Sequence, residues 1–103
     1  MTTSTSTPTS RTRGRLSAVW FADIVGYTTM SAENHARALA IVDLFQELGR
    51  TTVEAHGGRV VKFIGDAALA EFPSTTAAVQ AADDLRLSFL AQSAEKGHRT
   101  NLR

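Results

Sequence analysis

The sequence predicts an α+β domain of the ferredoxin-like split βαβ kind, in the order strand, helix, strand, strand, helix, with the final strands missing. Three observations predict it. Residues 18–25 form an apolar run rich in aromatic and β-branched side chains, the mark of a buried strand. Two such short runs flank Gly65-Asp66, and Gly at the first central position of a two-residue loop is a type II′ hairpin signal. Two longer segments repeat apolar residues at three-and-four spacing, as amphipathic helices do.

Taken in order, residues 1–15 hold no large apolar side chain after Met1. They are expected to form a disordered Ser/Thr/Arg tail, with nothing to bury against the entropy of ordering, and the domain is expected over 16–103. The first strand contains one residue that does not fit, Asp23, since an unpartnered ionised carboxylate is costly to bury. Gly26 ends the run, and Ser31 is the expected N-cap of a long helix with Glu33 in its first turn. Ala38, Ile41, Val42, Phe45, Leu48, Gly49, Thr52 and Val53 mark the face of that helix that packs on the sheet. Leu39 and Leu44 fall off the stripe. The helix is expected to stop at His56-Gly57, with His56 in a capping role. Strands follow at Val60–Ile64 and Ala67–Phe72, so Asp66 projects at the hairpin tip and Lys62 lies in the strand leading to it. Pro73 stops the second of these, and Ser74 caps a helix whose apolar face is Ala78, Ala81, Ala82, Leu85 and Phe89. Lys96 and Gly97 close it. Thr100 to Arg103 read as the opening of a further strand. In the complete topology that strand would lie beside the first, whose edge is expected to be unpaired.

Composition narrows the function classes. A chain of 103 residues, 43% hydrophobic and 20% charged, is one soluble globular domain or less. A net charge of +1 gives no argument for nucleic acid or a membrane surface. No cysteine is present, so disulfides and thiolate metal sites are excluded. No apolar run approaches a membrane span, and no secretory signal is visible at the N-terminus. The expected location is the cytoplasm.

The chemistry rests on two carboxylates. The third strand is the expected antiparallel neighbour of the first, so the turn carrying Asp66 approaches the end of the strand carrying Asp23. Two such groups make a seat for a pair of divalent ions about 3.5 to 4 Å apart, clamping the oxygens of a phosphoryl transfer. Oxygen-only ligation suits Mg²⁺ or Mn²⁺ rather than zinc. The plainer reading stays open: Asp66 as an ordinary turn residue, and Asp23 as a strand-end residue capping the next turn.

Two ordered motifs favour the metal reading. Phe21-Ala22-Asp23-Ile24-Val25-Gly26-Tyr27-Thr28, then His56-Gly57-Gly58-Arg59-Val60-Val61-Lys62-Phe63-Ile64-Gly65-Asp66-Ala67, resemble the N-terminal half of the class III adenylate/guanylate cyclase catalytic domain. The resemblance covers about residues 16–100 and includes the helix between the blocks. It implies that Asp23 and Asp66 are the catalytic, metal-binding aspartates, that the Ile24 main-chain carbonyl is a further ligand, and that two Mg²⁺ or Mn²⁺ ions are the cofactors. It implies that Val25, Gly26, Tyr27 and Thr28 hold the terminal phosphates, and that Lys62 selects the purine. The physics of the last role agrees, since an ammonium donates to adenine N1 whereas guanine N1–H needs an acceptor. A strand lysine snorkelling to solvent is the bland alternative. Phe63 departs from the small polar residue common in the family, and a local packing change is expected.

The implied reaction is ATP to cyclic AMP and pyrophosphate, in signal transduction, and the implied assembly is a homodimer or a heterodimer with a complete cyclase domain. The family's second half supplies an Asn-x-x-x-Arg pair across the dimer interface, and the present sequence holds no counterpart. The resemblance then implies a truncated product or fragment, or dependence on a complete partner, with little activity alone. Two rival classes stand beside it: a non-catalytic nucleotide-binding or dimerisation module, and another palm-like nucleotidyl transferase. A Gly-Gly-Asp/Glu-Glu-Phe hairpin would mark a diguanylate cyclase, but the hairpin here reads Phe-Ile-Gly-Asp-Ala.

Overall fold

A computed structural model describes residues 18–97 and 100–103; the expected N-terminal tail lies outside them. Strand β1 (Ala18–Asp23) leads into a short helix α1 (Tyr27–Glu33) and a long helix α2 (His35–Ala55). The hairpin β2 (Arg59–Ile64) and β3 (Ala67–Phe72) follows, then helix α3 (Thr75–Glu95). The strands form an antiparallel sheet in the order β1-β3-β2, as the split βαβ reading requires. Ala18 pairs with Phe72 and Asp23 with Ala67.

The expected single helix from Ser31 is two helices. Asn34 leaves helical geometry (φ −154°, ψ 94°) and its side chain accepts from Arg37 N–H at 3.0 Å, capping α2. An Asn at this point offers the backbone a better-satisfied break than continuation, and Ser31 lies inside α1. Ser74 does cap α3, accepting from Ala77 N–H at 3.0 Å. His56 is the C-cap residue of α2, and its Nε2 meets Asp84 of α3 at 2.7 Å.

Both long helices lie on one face of the sheet. Ala38, Ile41, Phe45 and Val53 of α2 and Ala81, Leu85 and Phe89 of α3 are buried against Ile24, Ala68, Ala70 and Phe72. Phe45 takes the edges of Phe63 (6.2 Å between centroids) and Phe89 (6.0 Å), a geometry worth more than burial alone. Trp20 packs on this side too, its Nε1–H donating to the Ala78 carbonyl at 3.0 Å. Of the two residues off the α2 stripe, Leu39 is exposed and Leu44 packs against the core.

The strands are buried on one face only, which corrects the expectation of a buried first strand. Val19 is 53% and Phe21 58% exposed, because no layer among the described residues covers the far side of the sheet. The unpaired edge of β1 is a second correction. Residues 101–103 pair antiparallel with its end: Asp23 and Arg103 exchange two main-chain hydrogen bonds (2.8 and 2.9 Å), and Val25 N–H donates to Asn101 at 2.9 Å. Leu102 bridges Ile24 and is buried with it. Ser93 and Thr100, both buried polar residues, anchor this segment. The Ser93 hydroxyl donates to the Thr100 carbonyl at 3.1 Å, and the Thr100 hydroxyl to the Val25 carbonyl at 3.2 Å.

Candidate nucleotide and metal site

Side chains alternate across a strand, so Trp20, Ala22 and Ile24 face the helices while Val19, Phe21 and Asp23 face the open side. Asp23 therefore stands at the end of β1 on the uncovered face, and its presence in an apolar run is explained without burying it. The tip of the hairpin reaches the same point. Ile24 N–H donates to the Asp66 carbonyl at 3.2 Å, so the backbones bearing the two aspartates are hydrogen-bonded neighbours. Gly65 takes φ +56°, a left-handed value that suits glycine in the turn.

Lys62 reaches that face through an irregularity. Val60 pairs with Ala70 but Lys62 pairs with Leu69, so the register shifts between them. In a regular strand Lys62 would share the helix-facing side with Val60. The extra residue, Val61, turns Lys62 to the open face instead, as a bulge does. Lys62, Leu69 and Phe21 thus form one row across the sheet. At the usual strand spacing Lys62 stands about 10 Å from Phe21, and Asp23 lies about 7 Å further along β1.

The turn after β1 is shorter than expected. Gly26 takes φ +76° and is the N-cap residue of α1, so Tyr27 and Thr28 belong to the first helical turn rather than to a loop. An αL residue here lets the chain leave the sheet and enter a helix at once. Val25 is exposed beside it. Phe63, the departure noted in the second motif, packs edge-on against Phe45 and lies under the Arg50 guanidinium at 5.5 Å.

One partner of Asp23 was not foreseen. Arg103 Nε donates to Asp23 Oδ1 at 3.0 Å, in an ion pair whose Arg is 70% exposed. The strand signal in Thr100–Arg103 hinted at the pairing, but nothing local linked residue 103 to residue 23. Among the described residues, no group of three or more His, Asp or Glu gathers to hold a metal. A cation here would rest on the two aspartates and main-chain or substrate oxygens, and hard oxygen donors of this sort fit Mg²⁺ or Mn²⁺.

No protein-family model matches the chain. A curated adenylate cyclase from Glutamicibacter nicotianae is 42% identical over 65 residues, which is 60% of this chain and 16% of that protein. Among solved structures, a bacterial light-regulated adenylyl cyclase is 28% identical with a TM-score of 0.64, over 72% of this chain and 22% of its own. An adenylate cyclase from Trypanosoma brucei, in its monomeric state, is 29% identical with a TM-score of 0.67, over 70% and 31%. The guanylyl cyclase Cya2 shares the fold at a TM-score of 0.67 and 18% identity, over 85% of this chain and 53% of its own. The chain thus spans between about a sixth and about half of the length of these proteins.

Proposed function

We propose that the chain is part of a class III adenylate/guanylate cyclase catalytic domain, a reading its likeness to adenylate cyclases supports, and that it forms the metal and purine side of a site that cyclises ATP. The observation that carries the proposal is the placement of Asp23 and Lys62 on one uncovered sheet face, with the Asp66 hairpin tip beside Asp23. The separation of Lys62 from Asp23, about 10 Å across and 7 Å along the sheet, suits a base at one end and phosphates at the other.

In this reading Asp23, the Ile24 carbonyl and Asp66 hold two Mg²⁺ or Mn²⁺ ions, which when bound would stabilise charge on the attacking and leaving oxygens. Lys62 donates to adenine N1 and so favours ATP over GTP. Main-chain N–H groups of Gly26 to Thr28 meet the terminal phosphates, the Val25 N–H being taken by the Asn101 carbonyl. The substrate 3′-oxygen attacks the α-phosphorus in line, its proton passes to solvent water, and the bond to the pyrophosphate leaving group breaks. The chain's own part is binding and orientation. The charge developing on the phosphates calls for a cationic donor from the other side of the cleft.

That other side is proposed to be a second, complete cyclase domain packed on the open sheet face. Val19, Phe21 and Ile64 are all more than half exposed there, and large apolar side chains left in water on one sheet face support its use as an interaction surface. No helix among the described residues is long and apolar enough to cross a membrane.

Titration with Mn²⁺ and a non-hydrolysable ATP analogue tests the reading. Asp23→Ala and Asp66→Ala should each weaken metal-dependent binding while the fold persists by circular dichroism. Unchanged affinity in both variants would overturn it.

A further inference from the structure

The main chain of Val25 is held from one side. Its N–H donates to the Asn101 carbonyl at 2.9 Å, and its C=O accepts the Thr100 hydroxyl at 3.2 Å. In a planar trans peptide the C=O and the N–H point in opposite directions. The first bond therefore turns the Ile24 carbonyl away from residues 100 and 101, and the second turns the Gly26 N–H away from them. That is the side on which the Ile24 N–H meets the Asp66 carbonyl at 3.2 Å. One main-chain acceptor and one main-chain donor thus both face the hairpin tip.

The second of these orientations is not secured by the turn itself. Gly26 stands at φ +76°, but glycine takes negative φ about as readily. Turning the Val25–Gly26 peptide over would change only the two torsions beside it, and would aim the Val25 carbonyl at the Asp66 side in place of the Gly26 N–H. The Thr100 hydroxyl opposes that flip, because it would be left buried without its acceptor. Thr100 can hold the peptide because it is itself held. It is 7% exposed, and its carbonyl lies 3.1 Å from the fully buried Ser93 hydroxyl of α3.

We propose that Thr100 is a positioning residue of the nucleotide site, whose hydroxyl fixes the Val25–Gly26 peptide so that the Gly26 N–H is aimed at a phosphate oxygen. The proposal rests on the metal and phosphate reading of residues 23–28 and 66, and adds to it a residue that touches neither group. With the peptide turned over, a carbonyl oxygen would face the phosphate, and two negative oxygens repel. The Ile24 carbonyl is oriented separately, by the Val25 N–H to Asn101 bond, so Thr100 serves the phosphate and not the cation.

The probes are Mn²⁺ alone and Mn²⁺ with inorganic tripolyphosphate, which carries phosphates without a base, titrated into the whole chain. Thr100→Val removes the hydroxyl at nearly constant volume. It should weaken tripolyphosphate binding about tenfold, as when the competent turn falls to about a tenth of the population, and leave Mn²⁺ binding within about twofold. Thr100→Ser keeps the hydroxyl and should restore the parent affinity. Val53→Ala, in the other part of the core, should lower stability in urea and change neither affinity. Relaxation dispersion at the Gly26 and Tyr27 amides should appear in Thr100→Val and be absent from the parent and from Thr100→Ser. In the unaltered chain the amide–α couplings of Gly26 should report a single positive φ, and averaging between both signs would overturn the proposal without any variant. So would a tripolyphosphate affinity in Thr100→Val equal to the parent's, or an equal loss in Thr100→Ser. A parent chain that binds Mn²⁺ but no tripolyphosphate would overturn the phosphate reading and this proposal with it, a failure told apart by arising before any substitution.

Discussion

Arg103 and Asp23 are joined three times: two main-chain hydrogen bonds and the 3.0 Å contact from Nε to Oδ1. The side-chain contact occupies the carboxylate that the proposed cations need. Arg103→Ala should therefore raise Mn²⁺ affinity, by no more than about fivefold, because an exposed ion pair is worth at most about 1 kcal/mol. Isothermal titration reads this directly. An unchanged or weakened affinity would show that the guanidinium does not compete for Asp23.

Lys62 owes its position to the register shift at Val61. Lys62→Glu should lower the preference for an ATP analogue over a GTP analogue in equilibrium binding, without any need to create strong GTP binding. Deleting Val61 should act differently. It would remove the bulge and leave Lys62 directly after Val60, still opposite Leu69 on the open face, so the preference for the ATP analogue should persist. Loss of that preference in the deletion variant would show that the site needs the bulge itself.

Ser93 ties α3 to the segment that covers Asp23's edge. Its hydroxyl is fully buried, with its one proton within reach of the Leu90 and Thr100 carbonyls at 3.2 and 3.1 Å. Ser93→Ala should cost about 1 kcal/mol and speed hydrogen exchange at the Asp23 and Val25 amides more than at β3. Uniform acceleration across the sheet would instead indicate a general loss of stability.

Phe45 is the centre of the core, fully buried with Phe63 and Phe89 edge-on to it. Phe45→Ala should cost about 3 to 5 kcal/mol, enough to unfold much of the population of a domain this small. Urea denaturation followed by Trp20 fluorescence measures it.

The half-site reading carries its own assay. Residues 1–103 alone should make no cyclic AMP above background with Mn²⁺, since loss of one electrostatic stabiliser typically costs about 10² to 10³ in rate. Mixing with a complete cyclase domain whose own aspartate pair has been removed should restore activity. Cyclase activity from the isolated chain, or silence in a proven heterodimer, would each count against the proposal.

The sequence by itself determined most of the elements, though neither the break at Asn34 nor the open face of β1. The spacing of Ala38, Ile41, Val42, Phe45 and Val53 fixed which side of α2 is buried, the Ser74 cap fixed the start of α3, and Gly65-Asp66 fixed the hairpin. These are local properties, carried by helix period, capping chemistry and turn preference. Only the tertiary structure decided that Lys62 shares a face with Asp23, that Val19 and Phe21 stay uncovered, and that Arg103 lies on Asp23. A bulge arises when a strand fits its curvature to its neighbour, burial depends on which face the helices cover, and residues 80 positions apart meet only once α3 has brought the chain back to β1. None of those causes is present in any short stretch of the sequence, because each is a property of two segments packed together.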